Sequence, residues 1–439
     1  MRNRPSAFLF RLAFVGTIGL PVSLNWALAD ETARDGRGKP IPRSRPEMKQ
    51  ALERLKQAQP RLPLSPPSEQ QRAAAGDRPL VNNGMARSQY LPPTWQTRRF
   101  DPDPAMTLDP VFKTRIFWIV SRSNNCHYCL GHQEHKLATA GQTDDQIAEL
   151  DTNWADCPEN ERVAFALARK MTLESYAVID ADIDALRPFY TPAQIVELVY
   201  TIASYNSTNR WTDSLGLPQD YQMRGHAISF DTPTSARYQH AVEPMLPDQL
   251  PTPPPLESRE EVNKQLARCR QRHPRVTLPD DSAVRQAVAA ELGNEAVRQW
   301  MRPLALFPNT ATSQLRFLKA IESDGQLSKP LKARLFWVAA RHNRAWYALG
   351  QAERWLESLG ESTDDLYTFE ESPEAFSAAE QAALKFAARL TNQPQSIVDE
   401  DIAALRANYP DTEVAQIVNV VCVANMFDRL TETLALPLD

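Results

Sequence analysis

Apolar residues recur along most of this chain at the spacing of a helix rather than the alternation of a strand. Ile195, Leu198, Val199 and Ile202 fall at i, i+3, i+4 and i+7, directly after Thr191-Pro192, a good helix start. Ile183, Leu186 and Phe189 keep that period after Asp182, which reads as an N-cap. Val163, Phe165, Ala166 and Leu167 form the middle of another helix, with Glu161 in its first turn. Ile116, Phe117, Ile119 and Val120 open an apolar run that leads into a Cys-x-x-Cys. Two Pro-rich stretches interrupt the pattern. Residues 30–80 ("GKPIPRSRP", "PRLPLSPPSEQQ") and 231–280 ("LPDQLPTPPPLE") predict extended, semi-rigid linkers, the first with one short helix around Met48–Gln57. The expected fold is all-α.

The helices are written twice. "KTRIFWIVSRSNNCHYCLGHQEHKL" from Lys113 returns 219 residues on as "KARLFWVAARHNRAWYALGQAERWL" from Lys332, and the register holds without a gap to "LGLPQD" and "LALPLD". About 30% of the 108 paired positions are identical. Such length in one register is a duplication. The chain is therefore expected to hold two tandem helical-bundle domains, 81–230 and 281–439, joined by the Pro-rich segment 231–280.

Composition narrows the partners. A net charge of −5 gives no basic excess, so nucleic acid and anionic membranes have no electrostatic support. Residues 1–29 read as a secretory signal: Arg2 and Arg4, an apolar run from Leu12 to Leu24, then Ala27-Leu28-Ala29 before Asp30. The other reading of that run is an uncleaved membrane anchor. An exported protein, periplasmic or extracellular, would meet an oxidising compartment where a close cysteine pair can become a disulfide. Five cysteines are too few for a stapled scaffold; Cys126 and Cys129 pair by sequence, while Cys157, Cys269 and Cys422 are scattered. There is no Walker loop, G-x-G-x-x-G, G-x-S-x-G or H-E-x-x-H, and no cofactor is expected.

The chemistry concentrates in "NNCHYCLGHQEHKL", Asn124 to Leu137. Tyr128, Leu130, Gly131, Glu134 and Leu137 recur in the second copy as Tyr347, Leu349, Gly350, Glu353 and Leu356, so Tyr128, Leu130 and Leu137 read as packing. Cys126 and Cys129 face Ala345 and Ala348, while His127, His132 and His135 face Trp346, Gln351 and Arg354. The fold does without these thiols and imidazoles. In a helix, Cys126, Cys129, His132 and His135 step round by about 60° each, so the first and last point apart across about 13 Å and cannot share one tetrahedral zinc. A three-ligand zinc on Cys126, Cys129 and His132 stays open. Haem attachment needs a histidine straight after the second cysteine, where Leu130 stands. A redox dithiol at a helix N-terminus, with His132 near Cys129 to lower its pKa or shuttle a proton, fits better. His127 and His135 read as a solvated face. Asn206, Asn209 and Arg210 are candidates for a polar pocket, although Asn206 and Arg210 recur as Asn425 and Arg429 and so read as structural.

"SNNCHYCLGHQEHKL", with "YNSTNRWTDSLGLP" (Tyr205 to Pro218), resembles the AhpD-like alkylhydroperoxidase and carboxymuconolactone decarboxylase superfamily, over about 106–220 and, as a degenerate copy, about 300–439. The resemblance implies all-α bundles that assemble as trimers or hexamers, hence a homo-oligomer of a pseudo-dimeric chain. It also implies peroxide reduction, with Cys129 attacking and Cys126 resolving. The family's relay histidine, four residues after the second cysteine, is Gln133 here, and its glutamate, twelve before the first, is Thr114. His132, or Glu134 through a water, is the substitute. The expected function is an exported thiol-dependent peroxidase or disulfide oxidoreductase, taking a peroxide or disulfide substrate and electrons from a thiol reductant. The alternative is a non-catalytic binding or assembly protein on the same fold.

Overall fold

The computed structural model describes residues 39, 41–76, 80–96, 103–239, 253–369 and 372–439. The expected signal, residues 1–29, and "LPDQLPT" of the second Pro-rich stretch lie outside the described residues. Those described are all-α: nineteen α-helices and one short antiparallel hairpin, Gln222–Met223 with His226–Ala227.

Ten helices matter below. In the first copy they are α1 (Arg45–Arg54), α2 (Pro110–Ser123), α3 (His127–Thr139), α4 (Glu159–Leu173) and α5 (Pro192–Ser214). In the second they are α6 (Arg259–Arg270), α7 (Lys329–Asn343), α8 (Trp346–Ser358), α9 (Ala378–Asn392) and α10 (Asp411–Thr433). Local chemistry sets their starts. The Asp109 side chain accepts from Phe112 N–H ahead of Pro110, and Thr191 with Gln194 forms a capping box ahead of Pro192. Asp182 is not the N-cap its position suggested. It is the third residue of a helix over Asp180–Asp184, reaching back to Ile179 N–H at 2.7 Å, and Phe189 beyond that helix is exposed.

The repeat is larger than the hydrophobic pattern revealed. Ser44 caps α1 and Ser258 caps α6, and "SRPEMKQALERLKQAQPRL" aligns without a gap to "SREEVNKQLARCRQRHPRV". The register there is 214 residues, not 219, which hid the match. Met48 and Leu52 are buried, as are their counterparts Val262 and Leu266, each contributing about 1.5–3 kcal/mol by leaving water. Within the two expected linkers, α1 and α6 are thus folded N-terminal caps, one on each copy, while residues 231–239 pack on the first copy, Tyr238 donating to Glu149. The two caps order because an apolar stripe and an N-cap outweigh the flanking prolines.

The two copies pack into one body about a pseudo-two-fold axis, with α5 against α10 at the centre. The contacts are reciprocal. Arg61 bonds Asp399 and the Ile397 carbonyl across the interface, while Arg275 bonds Asp180 and the Val178 carbonyl. Arg210 donates to Thr391 O at the end of α9, and Arg429 donates to Met171 O and Thr172 O at the end of α4. Each guanidinium meets the orphan carbonyls and negative dipole end of a helix from the opposite copy.

Candidate functional site

A two-residue turn joins α2 to α3. Asn124 ends α2, Asn125 takes a left-handed φ of 49°, and Cys126 N–H closes the turn on Ser121 O at 2.9 Å. Asparagine tolerates that conformation better than most residues. The second copy builds the same turn, with Arg344 at φ 50° and Ala345 N–H on Ala340 O. The turn therefore belongs to the fold. Gly131 and Gly350 also share a reason: a Cβ on them would lie 2.8 Å from Gln219 Oε1 and 2.6 Å from Leu438 Cδ2, where each copy's C-terminal segment crosses.

The thiols are what the first copy adds. Cys126 is the N-cap of α3 and Cys129 lies in its first turn; both are free and buried, at 0% and 2% exposure. One hydroxyl serves both sulfurs, because Thr212 Oγ1 on α5 lies 3.3 Å from Cys126 Sγ and 3.2 Å from Cys129 Sγ. That hydroxyl also lies 3.0 Å from Thr208 O, and its proton turns from that carbonyl to a sulfur when a thiolate forms. Burial raises both thiol pKa values. For Cys126 this is outweighed by a hydrogen bond from Cys129, helped by Lys39 and Thr212 and opposed by Asp213, which leaves it below the ordinary thiol value. Burial, and then the hydrogen bond given to Cys126 and its charge, push Cys129 well above. The N-terminus of α3 favours a thiolate at Cys126, the direction in which these shifts also run.

The expected relay residues do not converge on these sulfurs. His132 turns instead to the C-terminal segment of its copy: Nδ1 lies 2.9 Å from Tyr128 O and Nε2 lies 3.1 Å from Asp220 Oδ2, too bent for a hydrogen bond. Tyr128 donates to that carboxylate at 2.8 Å, as Tyr347 does to Asp439 at 2.9 Å, which makes the tyrosines structural. Gln133 back-bonds to Cys129 O at 3.1 Å, and Thr114 back-bonds to Pro110 O at 2.8 Å. Glu134 is buried in an ion cluster, accepting from Arg45 of α1 at 2.6 Å and from Trp118 Nε1 at 3.3 Å, while Arg45 also binds Asp144. His127, expected on a solvated face, is 3% exposed with Nε2 3.2 Å from Asn125 Oδ1; His135 is half-buried. Asn206 bonds Thr172, Asn124 and Arg210, and Asn425 repeats this with Thr391, Asn343 and Arg429.

Thr212 and Lys39 escaped the sequence reading. Thr212 recurs as Thr431, so a comparison of the copies does not single it out. Lys39 lies in the supposed linker, yet its Nζ sits 2.6 Å from Asn125 O and 3.7 Å from Asp213. Just after it, Ile41 is buried and Pro42 O accepts from Arg122 at 2.6 Å, so this arm covers the turn that carries the thiols. Cys126, Cys129 and His132 do not meet as a ligand set, and among the described residues no group of three or more candidate metal ligands forms. The chain matches no protein-family model and no curated protein.

Proposed function

We propose that the first copy is a dithiol redox centre that reduces a small peroxide, with Cys126 attacking and Cys129 resolving. One observation carries the reading: two thiols share the Thr212 hydroxyl at a helix N-terminus, where the same turn of the second copy holds Ala345 and Ala348. The Cys126 thiolate attacks one peroxide oxygen, the O–O bond breaks, and a sulfenic acid forms. The departing oxygen takes the Cys129 proton. Cys129 sulfur then attacks Cys126 sulfur, closing the disulfide and releasing hydroxide, which solvent protonates to water. In sum, one dithiol and one hydroperoxide give a disulfide, an alcohol or water, and a further water. Two electrons return from an external thiol, two RSH becoming RSSR. The attacking order differs from that of the AhpD-like resemblance; the N-cap position of Cys126, at the positive end of α3, supports it. Burial of both sulfurs favours a peroxide over a protein disulfide as the oxidant. We extend the proposal to an exported protein, on the signal-like pattern of residues 1–29, and to a homo-oligomer, on the AhpD-like resemblance.

A second reading is a non-catalytic assembly protein. It is favoured by the engagement of His132, Gln133, Glu134 and Thr114 in bonds away from the sulfurs. Stopped-flow oxidation of the reduced protein by hydrogen peroxide separates the two. The redox reading expects saturating formation of one disulfide, far faster than in Cys126→Ser. Equal rates would leave the assembly reading standing.

A further inference from the structure

A second polar feature, whose walls include neither cysteine of the pair, lies on the pseudo-two-fold axis. A cavity of about 40 Å³ opens there between the copies, room for a few waters or one small solute. Its walls come in symmetric pairs: Arg210 and Arg429, Asn124 and Asn343, Thr172 and Thr391. Both guanidinium groups are buried, at 1% and 2% exposure. Arg429 has every nitrogen engaged: Nε on Met171 O, one Nη on Asn425, the other on Thr172 O. Arg210 matches it at both Nη atoms, on Asn206 and Thr391 O, but its buried Nε–H has no partner among the described residues.

Charge is unbalanced in the same place. Burial and then the charge of Arg429 push the Arg210 pKa well down, which is the cost of two cations sharing one dry site. Asp428 is the acidic side chain acting on both, and burial raises its pKa to about 8, so it stays largely protonated at neutral pH. Helix C-termini supply only partial negative charge. His342 replaces Ser123 in the lining and adds no cation at neutral pH, burial holding it down to about 4.

We propose that this cavity binds one small monovalent anion, a halide or a planar oxyanion the size of nitrate or formate, between the guanidinium groups of Arg210 and Arg429. The anion cancels one of the two charges, and a rotation of the Arg210 guanidinium brings its unpaired Nε–H to the anion as a donor. Sulfate, a strongly hydrated dianion, loses more on leaving water than two guanidinium groups return. Because the walls come from both copies, occupancy also ties the halves of the chain together. The inference does not rest on the redox reading.

The test uses the intact protein and chloride itself. Chloride-35 NMR line broadening at constant ionic strength is expected to saturate at one site in the millimolar range. Nitrate and formate should displace it, while sulfate and gluconate should not. Arg210→Gln, with helical circular dichroism retained, should weaken binding tenfold or more, since a hydrogen bond to a charged group is lost. Broadening that never saturates, or that Arg210→Gln leaves unchanged, overturns the proposal. If Arg210→Gln does not fold, crystals of the wild type soaked in bromide decide it. An anomalous peak in the cavity supports the site, and an empty cavity overturns it.

Discussion

Replacing Asp428 by Asn, the residue type that stands at the equivalent Asn209 of the first copy, makes a quantitative test of the buried charge at the axis. Asp428 is fully buried; its Oδ2 accepts from Asn343 Nδ2 at 2.7 Å, and its Oδ1 has no partner among the described residues. Burial raises its pKa from 3.8 to about 8, outweighing the Asn343 hydrogen bond and the Arg429 charge. Above about pH 4 the unfolded chain has lost this proton while the folded chain keeps it, so each pH unit up to about 8 costs stability. One proton released on unfolding corresponds to about 1.4 kcal/mol per unit. Between pH 5.5 and 7 the wild type should lose about 2 kcal/mol relative to Asp428→Asn. His342 has the opposite sign: its folded pKa of about 4 lies below the ordinary 6.5, so its contribution grows with pH across that window. It is present in both proteins and cancels in the difference. The substituted amide would keep the bond from Asn343, but it lacks the partner Asn209 has in Ser121, whose counterpart is Ala340. That omission shifts the level by about 1–3 kcal/mol without changing the slope. Urea unfolding of both proteins at several pH values measures the difference directly. A difference that stays constant from pH 5.5 to 7 would mean that Asp428 is ionised in the fold, and the reasoning would fail.

Arg45→Met should cost about 3–5 kcal/mol in urea unfolding, because it leaves Glu134 without its cation and Asp144 with Lys49 alone; a loss under about 1 kcal/mol would show that the cluster does not hold α1. The Asp144 carboxyl lies below its ordinary value, its hydrogen bond and ion pair with Arg45 outweighing burial. Its contribution is therefore full above about pH 4 and is lost as the pH falls through the lower folded value, so acid should unfold the wild type more steeply than Asp144→Asn. Thr212→Val removes the hydroxyl shared by the sulfurs. It should move the pH profile of Cys126 alkylation upward and slow peroxide oxidation roughly tenfold, while Asp428→Asn has no effect in the same assay.

The helical periodicity and the 219-residue repeat were legible because duplicated packing leaves identical apolar positions in one register. The same comparison sets Tyr128, Gly131 and Leu137, which recur as Tyr347, Gly350 and Leu356, apart from Cys126 and Cys129, which do not recur. What it missed depends on contacts remote in sequence. His132 faces Asp220, and Glu134 faces Arg45; nothing near residue 130 announces either partner. The folded caps were obscured because proline content suggested linkers and a five-residue change of register broke the alignment. Thr212 was hidden by its own recurrence: a hydroxyl that bonds its helix backbone in both copies becomes chemical only where cysteines stand beside it.

The central claim is that Cys126 and Cys129 form a redox pair in which Cys126 reacts first. Its most direct measurement is the site of sulfenic acid in Cys129→Ser after one equivalent of hydrogen peroxide, trapped with a cyclic dione and located by peptide mass spectrometry. The account predicts the adduct on Cys126, and in the wild type a Cys126–Cys129 disulfide in its place. An adduct spread over Cys157, Cys269 and Cys422, or a wild type that forms no such disulfide, would contradict it.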